Sequence, residues 1–168
     1  MALTTTQQAT LKAFIETNPA WAGYGSNSDG ALAISRELTL DAVPDVIVWR
    51  SDVTEAEVVG GTSNEGTVWS WPTYAALTRP EQGAYERMFA SGTVDAGLPN
   101  IRQGFVDLFN GPSGADQRKH MAAIAKRLAN VLEAQFAGEG VGTVLNPATM
   151  EVEGRISYRE ILTVMGWQ

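Results

Sequence analysis

The chain has 168 residues, 44% of them hydrophobic and 18% charged, enough to bury a core without covalent staples and unlike a disordered polymer. It contains no cysteine, which excludes disulfides, thiolate zinc sites and thiol nucleophiles. Its net charge of −7 argues against tight nucleic-acid binding, which needs clustered Lys and Arg to meet phosphate. The acids are unevenly placed. Glu37, Asp41, Asp45, Asp52, Glu55, Glu57 and Glu65 face the single Arg50 between positions 37 and 65, whereas Arg102, Arg118, Lys119, Lys126 and Arg127 outnumber Asp107 and Asp116 further on. Two solvated faces are the simpler reading of that polarity; steering toward a partner of opposite sign is the other. With no apolar run of about 18 residues and no secretory pattern, the expectation is one soluble intracellular domain spanning 1–168.

Helix starts are the clearest signals. Thr4 with Gln7, Thr54 with Glu57, Thr78 with Glu81 and Ser157 with Glu160 fit the capping box, in which a hydroxyl takes one orphan amide and the residue three places on returns to another; Ser113 with Asp116 is a looser version. A first helix is predicted from Thr4 to Asn18, with Leu11, Phe14 and Ile15 on one face and Pro19 as its stop. Residues 20–30 form a loop pinned by Trp21 and Tyr24, after which Asn27 or Ser28 caps a second helix reaching about Leu38. Val46, Ile47, Val48 and Trp49 form a buried plug, either extended or helical. A brief helix follows over 54–59, ended by Gly60 and Gly61. Residues 62–73 read as a surface loop in which Trp69 and Trp71, spaced by two, point to one side.

Helices are predicted over 78–91 and from Pro99 to about Phe109, each with Pro in its first turn. The fold's central post is expected to be a long helix over 113–137, whose Met121, Ile124, Leu128, Val131, Leu132 and Phe136 recur at helical spacing. A β-hairpin arm over 141–154 comes next, with arms 141–145 and 150–154 about Asn146-Pro147-Ala148-Thr149. A short final helix runs over 157–165. The fold class is therefore mainly α, with an α+β character: a compact helical bundle around the long helix, with a C-terminal hairpin.

No constellation reads as a reactive centre. His120 is the single histidine, so a two-histidine metal site is excluded, and its neighbours Arg118 and Lys119 suggest a solvated or capping position. Glu151 and Glu153 alternate with Met150 and Val152, as the wet side of a strand does. The glycines of 138–142 lack the lysine and the strand–loop–helix order of a phosphate loop. Asp29 lies in a fragment of a calcium-loop pattern without the later ligands. The expectation is no enzyme, no catalytic, cofactor-binding or metal residues and no cofactor. Trp69 and Trp71 are either a cap over the core or an interface anchor. The candidate interface residues are Trp69, Trp71, Val144, Met150, Val152 and Tyr158.

The opening Leu3-Thr4-Thr5-Thr6-Gln7-Gln8-Ala9-Thr10-Leu11-Lys12, the turn Asn27-Ser28-Asp29-Gly30-Ala31, the run Val48-Trp49-Arg50 with Val53 and Thr54, and the stretch Glu153-Gly154-Arg155-Ile156-Ser157-Tyr158 together resemble a group of small proteins encoded by tailed bacteriophages, of the head–tail connector (neck adaptor) kind. The stretch 60–66 and the final helix depart from that pattern, and it carries no catalytic residues to transfer. The resemblance implies a virion structural protein, assembled in the host cytoplasm, forming a homo-oligomeric ring between portal and tail components. An acidic ring lumen would let DNA pass without sticking, and no membrane partner is implied. The alternative from a different class is a small phage inhibitor that binds a host defence or regulatory protein through its acidic surface.

Overall fold

The structure, a computed structural model, describes residues 3–168. In chain order its elements are α1 (Thr5–Thr17), α2 (Ser28–Glu37), β1 (Ile47–Trp49), β2 (Val53–Thr54), α3 (Glu55–Gly60), α4 (Trp71–Ala75), α5 (Arg79–Met88), β3 (Thr93–Val94), α6 (Pro99–Leu108), α7 (Ala115–Ile124), β4 (Lys126–Leu128), α8 (Val131–Gln135) and α9 (Tyr158–Met165). Single 3₁₀ turns precede α2 at Pro19–Trp21 and α7 at Pro112–Gly114. The fold is α+β, about half helical: β1 pairs with β4, and β2 pairs antiparallel with β3 in the register Val53↔Val94 and Thr54↔Thr93. The chain divides into two compact units, one from Met1–Val46 with Leu128–Gln168 and the other Ile47–Arg127.

In the first unit, α9 packs on α1 and α2. Leu11, Ile15, Trp21, Ala31, Ile34, Leu38, Leu132, Phe136, Val152, Ile156 and Ile161 form its core. Thr4 and Gln7 cap α1 reciprocally, Asn27 accepts from the amides of Asp29 and Gly30 to start α2, and Ser157 with Glu160 opens α9. Trp21 and Tyr24 both donate to Glu37, which ties the aromatic loop to the end of α2 and raises the Tyr24 phenol above its ordinary value through that hydrogen bond. The segment before α9 is held by a buried carboxylate. Glu133, 1% exposed, accepts from the Gly154 amide (2.9 Å) and the Asn130 amide (3.0 Å), while the Asn130 side chain donates to the Gly154 carbonyl (3.0 Å).

In the second unit the core is Val53, Val58, Trp69, Tyr85, Phe89, Val94, Ala96, Phe105, Leu108, Phe109, Met121 and Ala125. Here α3 and α6 pack on α7, and α5 packs on α6. Arg50 joins the strands to the helices. Its amide donates to Ala125 O (2.9 Å) and its carbonyl accepts from Ala96 N (2.8 Å). Its guanidinium donates to Asp52 Oδ1 (2.9 Å) and Glu57 Oε1 (2.8 Å). Arg102 stacks over the Trp49 ring at 5.1 Å and donates to the carbonyls of Ala96 and Gly97, fixing the turn into α6.

Two expected elements are replaced. The long helix over 113–137 is instead α7, β4 and α8. A continuing helix would send the Ala129 amide to the Ala125 carbonyl. Here Ala125 O accepts from Arg50 N, and Ala129 N donates to Val46 O (2.8 Å), so both groups are taken by the passing strand. The apolar stripe also serves two cores, with Met121 in one and Leu132 and Phe136 in the other, while Leu128 is exposed. A new capping box, Asn130 with Glu133, restarts the helix. At the front end Ser113 makes no cap, because Pro112–Gly114 form a 3₁₀ turn and Gly114 stands at the helix entrance.

The hairpin over 141–154 is likewise replaced. Pairing runs between 136–139 and 149–151, through Gly138 N to Thr149 O (2.8 Å), Thr149 N to Glu139 O (2.7 Å) and Glu151 N to Phe136 O (3.1 Å), with a bridge between Ala137 and Met150. Residues 140–148 are the connecting loop. Gly140 turns the chain out at φ +105°, where an added Cβ would lie 2.3 Å from the Pro147 carbonyl oxygen.

Two outcomes check these arrangements. Glu133→Ala leaves the Asn130 and Gly154 amides without their acceptor and is expected to cost about 2–4 kcal/mol in denaturant unfolding; a loss within experimental error contradicts the role given to Glu133. In the second unit, burial works to raise the Glu57 carboxyl, but the Thr54 amide and hydroxyl and Arg50 outweigh it and hold the group below its ordinary value. A carboxylate depressed in the folded state contributes stability above its unfolded pKa and loses it as pH falls through the folded value. The stability difference between wild type and Glu57→Gln is therefore expected at pH 6–7 and to shrink below about pH 4; a pH-independent difference contradicts the assignment.

Candidate functional site

The surface with the most chemical character lies on the second unit, where 63–73 meet the start of α7. Residues 117, 120, 121 and 124 share one face of α7, and Gln117, His120 and Met121 are buried. His120 is 0% exposed, not the solvated or capping residue its charged neighbours suggest. Its Nε2 lies 2.7 Å from the Val58 carbonyl oxygen and donates to it, and its Nδ1 lies 3.2 Å from the Thr67 hydroxyl. Thr67 in turn meets Ser63 Oγ at 2.6 Å, and Ser63 and Thr67 close the turn backbone to backbone at 3.0 Å. Gln117 Oε1 accepts from the Ser70 amide at 2.8 Å. The helix thus holds the segment at two points, Thr67 through its hydroxyl and Ser70 through its amide.

On this support sits an aromatic group. Trp69 is buried and contacts Tyr74, Tyr85 and Phe109 at 5.3–6.1 Å between ring centroids; Trp71, 58% exposed, stands edge-on to Trp69 at 5.9 Å and to Tyr74 at 6.0 Å. Ser70 caps the short α4, which carries Trp71 and Pro72 in its first turn; the sequence reading placed this stretch in a loop. Beside the two tryptophans is an open cleft of about 560 Å³, bounded by Thr67, Val68, Thr73, Ser113 and Asp116. Among the described residues Trp69 Nε1, Gln117 Nε2 and the Tyr85 hydroxyl find no hydrogen-bond partner although they are buried, and burial holds the Tyr85 phenol well above its ordinary value. Lys119 and Lys126 both reach Glu65, at 3.8 and 3.0 Å, so part of the acidic stretch is neutralised locally.

The candidate interface residues divide. Trp71 and Val144 are exposed, Met150 and Tyr158 are half-buried, and Trp69 and Val152 lie in the two cores. Trp69 is thus the core cap and Trp71 its accessible neighbour. Sequence reasoning missed Gln117, Asn130 and Glu133; the last pair has capping-box spacing, and Gln117 stands three residues before His120 on one helical face. Within 141–145 it named Val144 alone as an interface residue, although Val141 and Leu145 are 71% and 96% exposed. Comparison with protein-family models, with curated proteins and with solved structures finds no match.

Both ring nitrogens of His120 are engaged by the protein's own groups, the Val58 carbonyl and the Thr67 hydroxyl. His120→Ala should strand the Val58 carbonyl and open a cavity, lowering stability by about 2–4 kcal/mol in thermal or denaturant unfolding. An unfolding midpoint equal to wild type would contradict this.

Proposed function

We propose that this protein is a virion structural subunit of a tailed bacteriophage, a head–tail connector component that acts by assembling into a ring in the neck. The observation that carries this reading is the placement of apolar side chains in water on anchored segments: Leu145, Val141 and Val144 on the loop 140–148, and Val68 with Trp71 of α4 beside the cleft. Contiguous exposed apolar surface marks sites of association, and prior anchoring lowers the ordering cost of binding. The resemblance of the opening, turn and C-terminal motifs to small phage proteins supplies the biological setting. An oligomer of this −7 chain presents a net acidic surface, which suits a channel that DNA crosses without adhering.

The inhibitor alternative relies on a free acidic surface. Glu57 and Asp52 are engaged by Arg50, Glu65 by Lys119 and Lys126, and Glu37 by Trp21 and Tyr24, which weakens that reading. Mass spectrometry of purified particles, together with native mass of the isolated protein, distinguishes the two. The connector reading expects the protein in particles at about a dozen copies, the scale of a closed cyclic oligomer. Absence from particles, with a free monomer that captures a host protein, would favour the inhibitor.

A further inference from the structure

The loop 140–148 and the groove between α5 and α6 are unlike surfaces that fit each other's chemistry. Residues 140–150 contain no charged side chain, although the chain carries −7. The loop is closed at its base by the 136–139 and 149–151 pairing, and across its tip by the Asn146 carbonyl, which accepts from the amides of Val141 and Thr143 (3.2 Å each). Leu145 is 96% exposed on that tip. It is a compact aliphatic knob whose shape is already set.

The groove has an apolar floor of Ala84, Met88, Ile101 and Leu108 and a volume of about 410 Å³, within the range of a ligand-sized site. Gly104 opens the floor. A Cβ there would come 3.2 Å from Met88 Cε, and glycine is otherwise a poor choice inside a helix. The rim carries Glu81 and Asp107. The Thr78 hydroxyl and amide hold the Glu81 carboxyl below its ordinary value, and Asp107 Oδ1 accepts from Gln103 Nε2 at 2.7 Å. A rim of two carboxylates disfavours acidic segments and leaves an uncharged tip unopposed.

We infer that the Val141–Leu145 tip of one copy docks in the α5–α6 groove of a second copy, the contact from which the proposed ring is built; this rests on the connector reading above. The chain's own alternatives fit less well. Leu40 and Val43 are exposed but flanked by Asp41 and Asp45, which the rim repels, and the Trp71 ring is engaged edge-on with Trp69 and Tyr74. Joining unlike surfaces makes a heterologous contact, which propagates from copy to copy and ends as a closed ring or an open filament. A few aliphatic side chains are far short of the roughly 1,200 Å² that a stable complex buries, so the contact is a seed that closure reinforces.

Sedimentation velocity of the full chain across a concentration series tests this, with Leu145→Asp as the tip variant and Gly104→Leu as the groove variant. Circular dichroism melting is the control for folding. Wild type is expected to assemble, and each variant alone to weaken assembly by roughly tenfold or more. Mixed together, the two variants can recover only a single contact, because one intact tip still meets one intact groove; without ring closure to reinforce it, they are expected to give a weak 1:1 dimer at the top of the concentration series and nothing larger. Assembly unaffected by folded Leu145→Asp would overturn the tip-in-groove contact and leave the ring reading in place. Wild type growing into open chains that Leu145→Asp abolishes would support the contact and remove the closed ring. A chain that is monomeric at every concentration would overturn both.

Discussion

Side-chain hydrogen bonds to loop backbone are the constraint on which this structure depends. Its strands are two or three residues long and several of its helices have five or six, so regular ladders cannot satisfy most of the connecting backbone. Glu133 takes the amides of Asn130 and Gly154, Gln117 takes that of Ser70, His120 donates to the carbonyl of Val58, and Arg102 donates to those of Ala96 and Gly97. Each of these groups is buried or half-buried, so each acts where an unmet donor or acceptor is costly. The framework is therefore specified by a few polar side chains as much as by its apolar clusters.

That constraint links the fold to what it displays. A helix face built from Gln117, His120 and Met121 fixes the segment that carries Trp69 in the core and Trp71 at the surface. In the other unit, Glu133 and Asn130 secure the return strand after 149–151, which leaves 140–148 closed at its base while Leu145 remains in water. Apolar side chains held out by ordered backbone lose little freedom on binding. The connector proposal follows from that presentation.

How much of this the sequence disclosed depends on range. The boxes at Thr4, Thr54, Thr78 and Ser157 were legible because donor and acceptor lie three residues apart and nothing distant competes. The helix over 113–137 was misread for the opposite reason. Periodicity reports that apolar residues share a face but not which core receives them, and the partners of Ala125 O and Ala129 N, Arg50 and Val46, lie some 75 or more positions away in the chain. The Asn130–Glu133 box was visible yet masked by that apolar rhythm. The hairpin arms were displaced because alternation at 150–153 identifies one strand and says nothing about its partner.

The site was legible in part. The spacing of Trp69 and Trp71 marked the right neighbourhood and left cap and anchor undecided; burial assigns the first role to Trp69 and leaves Trp71 accessible. His120 was misread because Arg118 and Lys119 adjoin it in sequence, while Gln117 and Ala123, three places away on either side, are buried. The arm holding Val141 and Leu145 was read as protruding, but which of its aliphatic residues face water depends on the strand pairing, which lies at 136–139 with 149–151 rather than within 141–154.

Hydrogen exchange followed by mass spectrometry, compared between dilute and concentrated protein, tests the central claim most directly. The account predicts that the Ser70 and Gly154 amides are protected at both concentrations because buried side chains accept from them. It also predicts that 141–146 gain protection as the protein concentrates and their apolar side chains are covered. Rapid exchange at Ser70 and Gly154, or equal exchange of 141–146 in free and associated protein, would contradict it.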